Sequence, residues 1–517
     1  MSDTTPQKQF TGLGGILWPI HNYELKKFLP MGFMMFCALF NYTIVRDVKD
    51  AVVVNAAGAE TISFIKFWVV MPLAIIFVLL YTKASNVLSR EKLFYYTIAP
   101  FVIFFAAFGF LLFPAKEFLL PDMDGVNAAI EAAPAFRWFI MMYAKWIYVL
   151  FYAFAELWGS VIISLLFWQF ANQITRVFEA KRYYAMFGII GNLGLMLSGK
   201  TLKALTIYGA SVVGPGGNPF EVSLKYIMGA FTIFGLLFMV LYYWTNKNVL
   251  SDPRLFDPNE IKPKKDKPKL SLMQSLKVVV SSRYLLLIFT LVMSYGICIN
   301  LVEITWKKQV GVAFTSMNDY TAFMGDFSFY TGTVTIILMF VGANLLRLLG
   351  WKIAAFITPI MLLVTGAIFF SCVIFENAVM GVMGTITAMA PVMIAIMVGM
   401  IQNILSKATK YSLFDSTKEM SYIPLPEDLK VKGKAAVDVI GGRLGKSGGS
   451  IIQMILLMTI AAGAVDGQNI IAPYLFFFVA AIILIWILAI LALSKRFNDM
   501  SKLQEEEAKK VANKKVA

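Results

Sequence analysis

Ionisable side chains lie inside apolar runs of this chain, and they are the residues with chemistry to offer. The run Trp138–Gln173 contains Lys145 and Glu156. A charge at bilayer depth costs roughly 2.5–3.5 kcal/mol even on the mildest scale, so it turns toward protein or water. At about 100° per residue, Lys145, Tyr148, Tyr152, Glu156 and Gly159 share one helical face. That face is expected to wall a polar cavity; a Lys–Glu pair that only locks two helices is the alternative. The first apolar run places Tyr42, Arg46 and Lys49 on one face, and the seventh places Asn300, Glu303 and Lys307 likewise. Lys66, Asp326, Gln402 and Asn403 lie in other runs. The segment GGRLGKSGG brings Arg443 and Lys446 among five glycines, which let backbone N–H groups and a cation come close to an anion. Asp47, Lys307 and Lys308 are expected to snorkel at an interface. Lys49, Glu156, Glu303 and Lys446 are expected to face inward together.

This chemistry is anion binding by fixed cations, not catalysis. GGRLGKSGG resembles a phosphate loop, but Ile440 stands where that pattern needs glycine, and no strand precedes it. His21 is the only histidine and precedes the first run. Cys37, Cys298 and Cys372 lie in apolar runs, which argues against disulfides or a zinc site. No cofactor or metal is expected.

The elements that must carry these residues are membrane helices. Hydrophobic residues make up 59% of 517, and mean hydropathy is +0.71; soluble domains run nearer 45–50%. An all-α polytopic protein of about twelve spans follows, near 28–49, 62–82, 94–113, 138–172, 184–206, 224–245, 284–304, 323–346, 353–375, 378–405, 440–464 and 471–494. The net charge of +15 does not call for nucleic acid, because the basic residues sit largely in alternate loops. Lys83, Arg90 and Lys92, then Arg176, Lys181 and Arg182, then Arg347 and Lys352, then Lys407, Lys410, Lys418, Lys430, Lys432 and Lys434 mark one side. Segments 50–61, 207–223 and 465–470 lack Lys and Arg. The positive-inside rule puts the first set and both termini in the cytoplasm.

The Pro/Lys-rich segment 246–283 divides the chain into six-helix halves, 28–245 and 284–494, with a segment 1–27 before them and a tail 495–517 after. Ile16–Leu29 could lie in the interface as an amphipathic lead-in or serve as a plain linker. A weak internal repeat supports the halves. Asn41 to Lys49 ends the first span as Asn300 to Lys307 ends the seventh, and Gly191–Gly194 opens the fifth as Gly442–Gly445 opens the eleventh. Duplicated halves are a major-facilitator feature, with the site between them near midplane.

RDVKD at 46–50, AELWGS at 155–160, FWQFANQITR at 167–176, EAKRYYAMFG at 179–188, NLVEITWK at 300–307, QNILSKATKYSLFDSTKEMSYIPL at 402–425 and KGKAAVDVIGGRLGKSGG at 432–449 closely resemble the ATP/ADP translocases of obligate intracellular bacteria and plastids. The resemblance runs from about Trp18 to Arg496. It implies nucleotide exchange by a twelve-helix carrier, not an enzyme. It also implies two intramembrane lysines and two glutamates as key residues, which fall on Lys49, Glu156, Glu303 and Lys446. The expected partners are ATP, ADP and the lipid bilayer, with the carrier acting as a monomer. Arg46, Lys49, Arg443 and Lys446 are expected to hold phosphates, Tyr148 or Tyr152 to stack on adenine, and Glu156 and Glu303 to pair with lysines when the site is empty or to accept hydrogen bonds from ribose or adenine. Lys145 and Asn300 complete the expected lining. A proton-coupled nucleotide symporter is the alternative, and a membrane-embedded enzyme or a channel stands further off. The N-terminal segment has neither signal-peptide nor transit-peptide character, so a bacterial inner membrane is the expected location.

Overall fold

A computed structural model describes residues 18–256, 277, 279–383, 389–426, 429, 433–434, 437 and 441–516. Their regular structure is helical throughout, with no strand among the described residues. Within a bilayer only helices and closed barrels satisfy every backbone N–H and C=O internally. Eleven of the described helices are long and apolar enough to cross. In chain order they are α1 Asn22–Ala57, α2 Thr61–Val87, α3 Arg90–Leu112, α4 Trp146–Ile174, α5 Arg182–Val212, α6 Pro219–Asn248, α7 Arg283–Ala313, α8 Met317–Gly342, α9 Asn344–Ile374 and α10 Pro391–Ser421, with α12 Gly467–Met500 last. The expected eleventh span is present as α11, Gly442–Thr459. It is not among the eleven, because Arg443, Lys446, Gln453 and its glycines dilute its hydropathy.

Local chemistry sets the ends. Gly58, at φ 89°, stops α1 in a conformation that L side chains rarely adopt. Asn218 Oδ1 accepts from the N–H groups of Phe220 and Glu221, and Pro219 opens α6. Helices α8 and α9 belong to one helical stretch, Met317–Ile374, bent at Gly350 (φ 73°, ψ 170°).

Two elements differ from the sequence expectation. The run 138–172 is not one helix. It breaks at Lys145 (φ −113°, ψ 33°) between Arg137–Ala144 and α4. The tenth span lies further along than 378–405. It starts at Pro391 and carries Lys407 and Lys410 inside it, where hydropathy had ended the span. Near the start, Glu24 and Lys27 are fully buried while Trp18, Tyr23 and Leu29 are exposed, so the segment entering α1 has a packed polar side and an open apolar side. Part of the proposed linker, 257–276, lies outside the described residues.

Small residues bring helices into backbone contact. Helix α5 packs on α1 through Gly194, where a β-carbon would meet Phe36 O at 2.7 Å. Helix α11 packs on α7 the same way: a β-carbon on Gly445 would stand 3.0 Å from Met293 O. First span on fifth and seventh on eleventh thus share one kind of contact, made by the two Gly-rich motifs. Helices α5 and α8 meet at Gly199 and Gly325, whose added β-carbons would lie 2.4 and 2.6 Å from the opposite glycine's carbonyl oxygen. That contact joins the first part of the chain to the second.

Candidate functional site

Six ionisable groups form one chain of alternating sign between α1–α6 and α7–α12. Lys49 Nζ of α1 stands 3.1 Å from Glu156 of α4 and 2.8 Å from its neighbour Asp50. Lys307 of α7 reaches across to the other Asp50 oxygen at 2.8 Å and lies 3.5 Å from Glu303. Lys407 of α10 closes the series at 3.2 Å from Glu303. The central members are sealed: the Lys49 and Lys307 side chains are 3% exposed and Asp50 1%. The outer members are open, with Glu156 23% and Glu303 19% exposed. Water and a solute therefore reach the ends of the chain, and the middle ties the two parts of the protein together.

Helical geometry explains the placement. Tyr152 and Glu156 follow one another by a single turn of α4, and both meet Lys49, whose ammonium sits 3.8 Å over the Tyr152 ring. That contact occupies one aromatic face by cation–π attraction. Three of the charged positions adjoin π-helical turns. Lys66 opens one (Lys66–Val70), Gly159–Phe167 begins three residues after Glu156, and Lys410–Phe414 begins three after Lys407. Such wide turns are frequent at functional sites, because the extra residue re-aims side chains.

Around the chain lie further polar contacts between the same two parts. Lys66 Nζ donates to Asn300 Oδ1 at 2.6 Å, and Asn300 Nδ2 donates to Lys446 O and Ser450 Oγ, each at 3.0 Å. Arg46 binds Asp47 at 2.9 Å and the Ser328 hydroxyl of α8 at 2.6 Å, and that hydroxyl bonds Asp47 in turn. At the end of the bundle bearing Gly58 and Gly463, the distal end, Lys308 lies 3.0 Å from the fully buried Glu60 and 3.5 Å from Asp466. Glu60 also accepts from the Gln468 N–H at 3.2 Å, and Ser63 donates to Gln453 at 3.1 Å. Farther in, Lys203 of α5 pairs with Asp326 of α8 at 2.6 Å.

The structure gathers Lys49, Glu156, Glu303, Tyr152 and Asn300, and sets Lys446 beside them through Asn300. Arg46 is also central, though held by Asp47 and Ser328. It does not gather the rest. Lys145 sits at the helix break with its Nζ 3.2 Å from Met123 Sδ. Tyr148 packs among Phe108 and Phe113, ring centroids 6.5 and 6.0 Å away. Each four-residue step drifts about 40° around a helix, so two steps back from Glu156 lead out of the site. Arg443 is exposed, with no ion pair among the described residues. Asp47, Lys307 and Lys308 do not snorkel. Asp47 and Lys307 are buried, and all three are paired. Asp50 and Lys407 were not singled out from the sequence. Asp50 follows Lys49 in RDVKD, which was the available signal. Lys407 was counted among loop positives, and nothing in its hydropathy separated it from them.

Comparison with known proteins sets this arrangement in a class. The fold is that of solved transporters. A bacterial homologue of the iron transporter ferroportin, in an inward-facing state, covers 92% of this chain and 100% of its own at TM-score 0.53 and 13% identity. The nucleoside transporter NupG covers 91% and 99% at TM-score 0.52 and 12% identity. The chain is a major-facilitator-like membrane carrier rather than an enzyme. Residues 3–497 match the model of the TLC ATP/ADP transporters, and the chain belongs to that family. It is 46% identical over 511 residues to ADP,ATP carrier protein 1 of Chlamydia trachomatis, covering 98% of this chain and 96% of that one. Against ADP,ATP carrier protein 1 of Rickettsia prowazekii it is 43% identical over 507 residues, covering 98% and 100%. The chloroplastic ADP,ATP carrier protein 1 of Arabidopsis thaliana is 46% identical over 485 residues, covering 93% and 76%.

Proposed function

We propose that this protein exchanges ATP for ADP across a bacterial cell membrane, as a monomer, by alternating access between the two six-helix halves 28–245 and 284–494. The observation that carries the reading is the charge chain Glu156–Lys49–Asp50–Lys307–Glu303–Lys407, half of it from each side of the chain. A polyphosphate in a membrane needs fixed cations, and its oxygens can replace carboxylates as partners of Lys49, Lys407 and Lys446. While the site is empty, Asp50, Glu156 and Glu303 take that part. Nucleotide binding then trades carboxylate contacts for phosphate contacts, and a ligand shifts a conformational balance only by such a difference between states. Tyr152 stacks on adenine once Lys49 leaves its ring. The matching α1–α5 and α7–α11 contacts support two halves that move as units.

The alternate loop charges support cytoplasmic termini. The distal end, closed by Glu60, Lys308 and Gln468, then faces away from the cytoplasm, and the nucleotide enters from the cytoplasmic side in this state.

Proteoliposomes test the reading. Labelled ATP uptake should require internal ADP or ATP and ignore an imposed proton gradient. Uptake driven by the gradient into nucleotide-free vesicles would make the protein a symporter instead. Glu156→Gln should still bind ATP while exchange falls about 10-fold or more, the effect of losing one charge-assisted contact. Normal exchange by a stable Glu156→Ala protein would remove this carboxylate from the mechanism.

A further inference from the structure

Lys66 differs from the other lysines of the site. Lys49, Lys307 and Lys407 each have a carboxylate at 2.8–3.2 Å. Lys66 pairs with no carboxylate among the described residues. Its Nζ instead donates at 2.6 Å to the neutral amide oxygen of Asn300. An ammonium has three donors, and a neutral acceptor leaves its charge uncompensated. Within an apolar span that is costly unless an anion arrives. The side chain is half-buried and turned toward α7, so its charge is not simply carried out to the distal surface. Lys66 also opens a π-helical turn.

Asn300 connects this lysine to the one on α11. Its amide oxygen accepts from Lys66, and its amide nitrogen donates to the Lys446 carbonyl and the Ser450 hydroxyl. Lys446 likewise has no ion pair among the described residues. It is the Lys446 backbone carbonyl, not its ammonium, that meets this amide; the Lys446 residue is exposed, whereas Asn300 is 2% exposed. Glu156 and Glu303 lie within electrostatic reach of Lys66 but not in contact with it.

We propose that Lys66 is a substrate-binding lysine: it forms a phosphate subsite, and Asn300 Oδ1 holds the place that a phosphate oxygen takes in the loaded carrier. Because Lys66 lies on α2 and Asn300 on α7, this subsite sits where the two parts of the chain meet. The inference rests on the nucleotide-exchange reading above.

The test is ATP, ADP and AMP binding to the purified full-length protein, read by thermal shift and by equilibrium binding, for the wild type, Lys66→Gln and Lys66→Arg. Lys66→Gln should lower ATP and ADP affinity about 10-fold or more, the worth of one charge-assisted hydrogen bond. AMP, with fewer charges, should lose less. Lys66→Arg keeps the charge and should stay nearer the wild type. Without nucleotide the Gln variant should melt no lower than the wild type, because an uncompensated cation has gone. A folded Lys66→Gln protein with wild-type ATP affinity overturns the proposal. So does a Gln variant that is strongly destabilised without nucleotide, since Lys66 would then be structural. A wild type that responds to no nucleotide overturns the exchange reading itself, and the subsite with it.

Discussion

Two of the regions where the protein buries ion pairs are built differently. Around the start of α1, Lys27 meets Glu179 at 2.7 Å and donates to Leu255 O at 2.9 Å. Arg182 holds Glu24 through two bonds of 2.6 and 2.8 Å. The same glutamates accept backbone N–H groups, Glu179 from Arg176 and Glu24 from His21. The paired residues all precede the central segment, Leu255 lies within it, and the carboxylates are nearly saturated. In the candidate site one pair, Asp50 with Lys307, crosses from one part of the chain to the other, lysines share carboxylates, and Lys66 and Lys446 lack one. Removing one partner of a buried pair costs about 3–5 kcal/mol when nothing replaces it. A saturated pair within one body resists any motion. A shared pair between two bodies can be exchanged for another anion. Under the proposed exchange, the difference separates the buried charges that hold the fold from those that a substrate would engage.

Glu179→Gln should show the largest effect on stability, losing about 3–5 kcal/mol because Lys27 is left buried without its counter-charge. The melting temperature of the detergent-solubilised protein should fall clearly, while the folded fraction binds ATP normally. An unmoved melting temperature would erase the distinction between the regions. Asp50→Asn should do the reverse. Exchange should drop about 10-fold or more, with less thermal destabilisation than Glu179→Gln, because Lys49 keeps Glu156 and Lys307 keeps Glu303 as partners. Equal destabilisation with exchange intact would make Asp50 another fold-holding residue.

Glu60→Gln sharpens the contrast at the distal end. Weakening the Lys308 and Gln468 contacts should raise the labelling rate of a cysteine at Ser63 about 10-fold in a cysteine-free background, as expected for one charge-assisted bond. An unchanged rate would mean that this cluster does not control access. The smallest effect belongs to Tyr148→Phe, which should change exchange less than about 2-fold, since its ring packs among apolar neighbours and carries no site contact. A loss as large as that of Tyr152→Ala would return Tyr148 to the site.

The sequence reading reached the helical fold, the spans and the intramembrane charges of α1, α4 and α7, because apolar runs and their interruptions are local signals. Lys49 with Glu156 was visible as charge at membrane depth on two helices. What it missed depends on pairing in space. Lys307 looked like an interfacial lysine until Asp50 met it from α1. Lys407 ended a span by hydropathy because nothing in the local pattern reveals Glu303 opposite. Tyr148 and Lys145 were placed on the Glu156 face by assuming one uniform helix. The break at Lys145 and the drift of successive four-residue steps defeat that arithmetic, and the π-helical turns leave no mark on the apolar pattern.

The contact of Gly199 with Gly325 also has a mechanical side. The helix that contains α5 runs Val177–Val212, so Gly199 lies twenty-two residues from one end and thirteen from the other. At 1.5 Å per residue these are arms of about 33 Å and about 20 Å. If the two glycines act as a fulcrum, a tilt of about 10° carries the long arm's tip about 6 Å and the short arm's about 3 Å. The stroke is unequal: the wide travel falls at the end near Val177, and the distal mouth moves little. A methyl group at Gly199 would set a wedge in the bearing and stiffen both strokes at once.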